Sequence, residues 1–233
     1  MELFDFRTGS NIRHSMTALL RQSIYSRLAG YEDVTDAERL SVDRVMRHIV
    51  GGRAADHSAA STSEVGRFET DTLAQPDNLE ALMTMPGHWV DCIRHRRPIE
   101  KLILDMDSSV SETYGQQEGT AYNGHFGCDC YHPLFVFNQD GDVEFAKLRP
   151  GNVASADDWR SVLEPVIERY RDLDICKFFR GDAAFAIPEL YELLEAEGYR
   201  YAIRLKANAI LERHVSHLLT RPVKRPPKKP QRF

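Results

Sequence analysis

Three aspartates occupy positions from which a side chain could do chemistry. Asp105 and Asp107 close the apolar run KLILDMDSS (101–109), and Asp182 closes ICKFFRGD (175–182). Side chains alternate along a strand, so Asp105 and Asp107 leave the same face. A carboxylate is costly to bury unless it is paired or holds a metal. Two carboxylates from neighbouring strand ends suit Mg²⁺, which binds a few carboxylates, keeps several waters and adds phosphate oxygens. The plainer reading makes each acid a turn former or the N-cap of the next helix.

Two other chemistries share these residues or lie near them. LILDMDSSV (102–110) fits the strand-then-D-x-D pattern of haloacid dehalogenase-like phosphatases, with Asp105 as nucleophile and RGD (180–182) as the later acidic element. That fold needs a crossover helix soon after its first strand, whereas residues 110–150 read as Gly-rich loop and hairpin. It also needs a further acid where Phe185 and Ala186 stand. Cys128, Cys130 and His132 alternate and would share a strand face, as zinc ligands or as small buried side chains. No fourth ligand is evident. His214 and His217 read as surface residues of a helix.

Strands are needed to position the acids. Residues 101–109 read as a buried strand and GCDCYHPLFVFN (127–138) as a second. VEFAKLRPG (143–151) reads as a third, after the turn signal Asn138-Gln139-Asp140-Gly141. A helix over 157–171 turns Trp159, Val162, Leu163, Val166, Ile167 and Tyr170 inward. ICKFFRGD is a fourth strand and YRYAIRLKA (199–207) a fifth. Between them IPELYELLEAEG (187–198) is a helix, with Pro188 in its first turn and Gly198 past its end. The order is three strands, helix, strand, helix, strand, an α/β mixed sheet with helices on its faces. In this order the fourth strand can lie parallel beside the first. Both Asp-bearing ends then open at one edge, where open α/β sheets bind ligands.

An all-helical region precedes the sheet. Residues 12–28 carry Ile12, Met16, Leu19, Leu20 and Leu28 at helical spacing, with Gly30 as the stop. Thr35-Asp36-Ala37-Glu38 reads as a capping box. It opens a helix with Leu40, Val42, Val45, Met46 and Ile49 on one side, ended by Gly51-Gly52. Residues 53–63 read as a loop and 64–69 as a short helix. Residues 77–96 read as a helix with Leu79, Leu82, Met83, Val90 and Ile93 inward, kinked or broken at Pro86-Gly87. The resulting organisation is a helical region over 1–98, an α/β core over 99–220 and a basic, Pro-rich tail over 221–233.

The bulk properties narrow the classes. The 233 residues allow one full domain and an accessory region. An apolar content of 42% with 28% charged residues is that of a soluble globular protein. No apolar run of about eighteen residues exists, so no transmembrane helix and no membrane partner are expected. MELFDFRTGS has no apolar signal segment. The four cysteines fit reduced thiols in a cytoplasm rather than a disulfide framework. A net charge of −5 argues against a polybasic DNA binder. It leaves DNA chemistry open, since metal-holding carboxylates offset basic patches. Base is concentrated in RPVKRPPKKPQRF (221–233), which reads as a DNA-contacting arm or as a connector with too little apolar surface to fold.

Several long segments together resemble the insertion-sequence branch of bacterial DDE transposases. GYEDVTDAERL (30–40) is similar to the helical region ahead of the core in one such family. LDMDSSVSETYGQQEGTAYNGHFGCDCYHPLFVF (104–137) is similar to its first-Asp block and LRPGNVASADD (148–158) to a following loop. RGDAAFAIPELYELLEAEGYRYAIRLKAN (180–208) is similar to its second-Asp block, and the likeness covers roughly residues 15–230. The resemblance implies an RNase H-like, integrase-type fold. It implies that Asp107, directly before Ser108, and Asp182 are catalytic and bind Mg²⁺, for which Mn²⁺ can substitute. Asp105 is the second choice for the first position.

The implied reaction is two-metal phosphoryl transfer that cleaves and rejoins insertion-sequence DNA. The implied partners are double-stranded DNA, as transposon ends and target, and a second copy of the full-length protein in a homodimer. The implied location is the cytoplasm, at the nucleoid when DNA is bound. Arg180, Arg204 and Lys206 are candidates for DNA phosphates or for solvated surface charge. The family's third acid, a Glu on a later helix beyond a β-rich insertion, has no match before Phe233. Glu189, Glu192 and Glu195 do not correspond to it. The expectation is a truncated copy, with a non-catalytic DNA-binding remnant as the alternative.

Overall fold

The computed structural model describes residues 3–8, 11–115 and 117–219. The basic tail read over 221–233 lies outside the described residues. The chain divides into two compact units, Met1–Pro98 with Asp142–Lys147, and Ile99–Gly141 with Leu148–Phe233.

The first unit opens with α1 (Met16–Leu28), where the Ser15 hydroxyl accepts the Ala18 amide at 3.2 Å. Gly30 follows the helix at φ +83°, a conformation that suits glycine. The capping box expected at Thr35 does not form. The Asp33 carboxylate instead accepts the Thr35 amide at 2.7 Å and opens a 3-10 turn, so α2 (Ala37–Leu40) has only four residues. Asp43 then accepts the Met46 amide at 2.8 Å and starts α3 (Arg44–Val50). Aspartate caps better than threonine, and two such caps split what the pattern joined. The split buries Met46 and Val50 and leaves Val42 and Val45 exposed.

Past Gly51-Gly52 a short helix, α4 (Arg53–Asp56), begins the segment expected as loop. Ala54, Ala59 and Ala60 there are buried. The buried Gln22 side chain holds Ala60 by both backbone groups, donating to its carbonyl and accepting its amide at 2.8 Å each. A capping box does occur at Ser61 and Glu64, heading α5 (Thr62–Arg67), which continues into a π-helical turn over Phe68–Leu73.

α6 (Pro76–Arg94) runs through Pro86 as one helix, so of the kink or break read there the break does not occur. Its buried positions, Asn78, Ala81, Gly87 and Val90, lie on both sides of the proline, and their packing carries the helix across the lost backbone bond. Leu79 and Ile93, expected inward, are exposed. The helix seats small residues inward where the pattern favoured large ones.

In the second unit, β1 (Lys101–Ser108) is followed by β2 (Ser111–Glu112), β3 (Ala121–Asn123), β4 (Cys128–Tyr131) and β5 (Leu134–Phe137). The single strand expected over 127–138 is therefore two. Pro133 has no amide to give a ladder, and the chain changes sheets there. β4 joins a small sheet of order β2-β4-β3, and β5 pairs antiparallel with β1. β6 (Val143–Lys147) falls in the first unit and packs on α6, where Arg94 meets the buried Glu144 at 3.2 Å. Next come α7 (Trp159–Tyr170), β7 (Cys176–Gly181), α8 (Pro188–Ala196), β8 (Arg200–Ile203) and the exposed α9 (Ala209–Leu219).

Within this unit the main sheet runs β5-β1-β7-β8, with β1, β7 and β8 parallel. This is the mixed α/β sheet the sequence calls for, and it brings the fourth strand of the expected set parallel beside the first. Leu102, Leu104, Met106, Leu134, Val136 and Phe179 form the buried side of the sheet. α7 packs on β5 and α8 on β8. The inward residues expected of α7 are all buried.

The loop after β6 folds over the small sheet. Tyr131 bridges Pro150, and the buried Arg149 donates to the His132 carbonyl at 2.9 Å and to the carbonyls of Ala154, Ser155 and Asp157. Gly151 lies so close to β3 and β4 that a Cβ there would sit 2.6 Å from the Cys130 carbonyl oxygen.

Candidate active site

The acids sit at the carboxyl ends of two parallel neighbours. The β1–β7 register pairs Asp105 with Arg180 and Met106 with Gly181. One step further along both chains come Asp107 and Asp182. Alternation fixes their side. Leu104 and Met106 are buried, so Asp105 and Asp107 leave the opposite face. Arg180 lies on that face too, because its guanidinium grips Asp105 through two hydrogen bonds, Nε to Oδ1 at 2.6 Å and Nη2 to Oδ2 at 2.5 Å. The pair raises the Arg180 pKa, first by hydrogen bonding and then by charge. Asp182, two residues after Arg180 in extended backbone, continues the same parity.

Asp107 and Asp182 are both exposed or half-exposed at the strand ends. The Asp107 Oδ1 accepts the Ser108 amide at 2.9 Å, and the Asp182 Oδ1 accepts the Ala184 amide at 2.9 Å. The second of these caps a 3-10 turn, so Asp182 does fill the plain turn-forming role as well. The other oxygen of each carboxylate has no partner among the described residues. Two such carboxylates, each with a free oxygen open to water, fit a hard divalent ion that keeps part of its hydration. No group of three His, Cys, Asp or Glu able to hold a metal occurs among the described residues. Gly181 lets the strand end close over the core: a Cβ there would stand 3.2 Å from the Phe179 ring and 3.4 Å from Phe185.

Other candidates separate from this site. Asp105 is committed to Arg180, which the sequence offered only as a surface or DNA-contacting cation. The readable signal would have been the matching spacing of D-x-D and R-x-D on strands that prove parallel. Arg204 and Lys206 follow β8 and are exposed. His214 and His217 lie on exposed α9, as read from the sequence. The thiols of Cys128 and Cys130 neighbour each other, and burial, then Cys130, Glu112 and Asp129, push the Cys128 thiol up in pKa. A thiol held protonated is a poor metal ligand. His132 is buried with Nδ1 at 3.1 Å from the Val153 carbonyl. After β1 the chain enters small antiparallel strands and not a crossover helix, so the phosphatase pattern has no structural counterpart.

The chain thus joins a mixed α/β sheet to aspartates at the ends of two adjacent parallel strands. A family profile described as "Transposase DDE domain group 1" matches residues 2–233, and the chain belongs to this family. A search of curated proteins finds no match. Among solved structures, the chain is similar to a piggyBac transposase synaptic complex with hairpin DNA, at 13% identity and a TM-score of 0.42 over 94% of this chain and 48% of that one. It is also similar to a Mos1 transposase paired-end complex, at 12% identity and a TM-score of 0.29 over 85% of this chain and 61% of the other. The chain thus spans about half the length of the first relative and three fifths of the second. No described helix is long and apolar enough to cross a membrane.

Proposed function

We propose that this chain carries part of the catalytic core of a DDE transposase, spanning 99–220, that cleaves and joins insertion-sequence DNA with Mg²⁺ or Mn²⁺ held by Asp107 and Asp182. The observation that supports this most is the register. The parallel ladder pairs Asp105 with Arg180 two residues before the two carboxylates, and their ion pair bridges β1 and β7 at that point. The bound ion would supply a Lewis acid and a water or 3′-hydroxyl of lowered pKa for in-line attack. The chain's own part is positional. The amides of Ser108 and Ala184 each fix one carboxylate oxygen and leave the other toward the ligand. Arg180, neutralised by Asp105, keeps a competing cation off the metal carboxylates. Double-stranded transposon-end and target DNA would be the substrate, with a homodimer formed by the full-length protein at the nucleoid of the cytoplasm.

Titration of the chain with Mn²⁺, followed by calorimetry and by the paramagnetic signal of the free ion, tests the site. Asp107→Asn and Asp182→Asn should each weaken binding at least about tenfold, in the range seen for loss of a direct or outer-shell metal partner. Mn²⁺ affinity equal to the parent in both variants would remove the metal site and leave a DNA-binding role alone.

A further inference from the structure

The first unit holds a cleft of about 320 Å³ between the start of α1 and the turn joining α3 to α4. Arg13, Arg21 and Arg53 line it, and no Asp or Glu does. Arg21 and Arg53 form no ion pair among the described residues. Arg13 also feels Glu64 outside this cleft, but Arg21 and Arg53 are gathered there without a paired counter-charge, and an arriving anion turns their repulsion into attraction.

Two further groups bear on this cleft. His14 lines it, is only 5% exposed, and has a buried Nδ1 with no hydrogen-bond partner. Buried polar groups are normally satisfied, so this unmet ring nitrogen beside the arginines is open to a ligand or a water. Burial foremost, with Arg53, Arg13 and Arg7 acting against Glu64, lowers the His14 pKa, so the ring is neutral and can donate through one nitrogen. The second group is the N-terminus of α1. Ser15 takes the Ala18 amide, leaving those of Met16 and Thr17 without a partner among the described residues. Free amides at a helix start attract anions.

Gly51, at φ +71°, turns the chain between α3 and α4 beside the Arg21 guanidinium. The adjoining cleft that shares Arg13 and His14 also has Glu64 and Asp71 in its wall, so its charge is compensated.

We propose that the cleft lined by Arg13, His14, Arg21 and Arg53 is a phosphate-binding site and that its ligand is a backbone phosphate of double-stranded DNA. The phosphate chemistry follows from the cleft itself. The choice of DNA as its source rests on the transposase reading above.

The test is a salt titration of the full chain binding a fluorescent 30-base-pair duplex. Removing one arginine–phosphate interaction lowers the slope of log K against log salt by about 0.9. Arg21→Gln with Arg53→Gln should lower it by about 2 and weaken binding at least about tenfold at moderate salt. Arg53→Gln alone, at an exposed position, guards against misfolding of the double variant and should lower the slope by about 1. Lysine at both positions should restore it. A parent slope in the folded Gln variants overturns the DNA assignment. In a second arm, inorganic phosphate is added and the His14 ring is followed by NMR. A shift that needs Arg21 and Arg53, together with an unchanged DNA slope, would assign the cleft to free phosphate. No shift and no slope change would overturn the site altogether. The Mn²⁺ titration is indifferent to these arginines, so failure of the metal site and failure of the cleft read separately.

Discussion

The two units are fastened by different kinds of interaction. In the helical unit, polar side chains tie distant backbone together. Gln22 holds Ala60, Asn78 holds the Phe4 and Thr72 backbone, and Ser23 and Arg27 converge on Glu69. In the sheet unit, a ladder of parallel strands lies on fully buried apolar side chains such as Leu104, Phe179, Leu163 and Leu190. The first kind of fastening fails when a donor is orphaned and the second when a cavity opens. The difference teaches which substitutions each unit tolerates: the helical unit needs particular polar atoms, whereas the sheet unit needs volume.

Four measurements can break or sharpen this contrast. The largest effect should come from Phe179→Ala, which removes a fully buried ring and should cost about 3–5 kcal/mol by urea denaturation; a loss under about 1 kcal/mol would mean the sheet's core is not close-packed. Next, Gln22→Ala should cost about 2–3 kcal/mol, because both backbone groups of Ala60 are left without their partner. Gln22→Leu is the sharper comparison. If leucine restores stability, the helical unit too is held by volume and the distinction collapses. Third, Asp43→Ala should cost about 1 kcal/mol through the missing cap, with Asp43→Asn close to the parent.

The smallest effect concerns pH. Burial alone would raise the Glu69 pKa, but hydrogen bonds from Arg27 and Ser23 outweigh it and the net shift is downward. A depressed carboxylate contributes stability above its unfolded pKa and loses it as pH falls through the folded one. Thermal melts should therefore fall as pH drops below the ordinary Glu value of 4.5, and Glu69→Gln should flatten that part of the curve. An identical pH profile in the variant would show that this pair holds nothing.

How far the sequence could be read follows the same division. Strands announce themselves by alternation, so β1, β6, β7 and β8 and the shared face of Asp105 and Asp107 were legible from 101–109 and 143–207. The break at Pro133 and the two short strands β2 and β3 were not, since strands of two or three residues carry no period. Pairing between Asp105 and Arg180, 75 residues apart, is set by register and lies outside any local pattern. In the helical unit, apolar spacing suggested one helix over 35–50, while the caps at Asp33 and Asp43 made two. Arg13, Arg21 and Arg53 carried no signal at all, because their neighbourhood arises only when α1 and the α3–α4 turn meet.

Gly151 has a consequence for how its loop is seated. The residue fits only against the backbone of Ala121 and Cys130, both of which precede it in the chain. The groove that receives it exists only where β3 pairs with β4. The seat of the 148–158 loop, and with it the place of Arg149 on the carbonyls it gathers, is therefore complete only with the small sheet closed. The loop is a latch whose catch belongs to the small sheet.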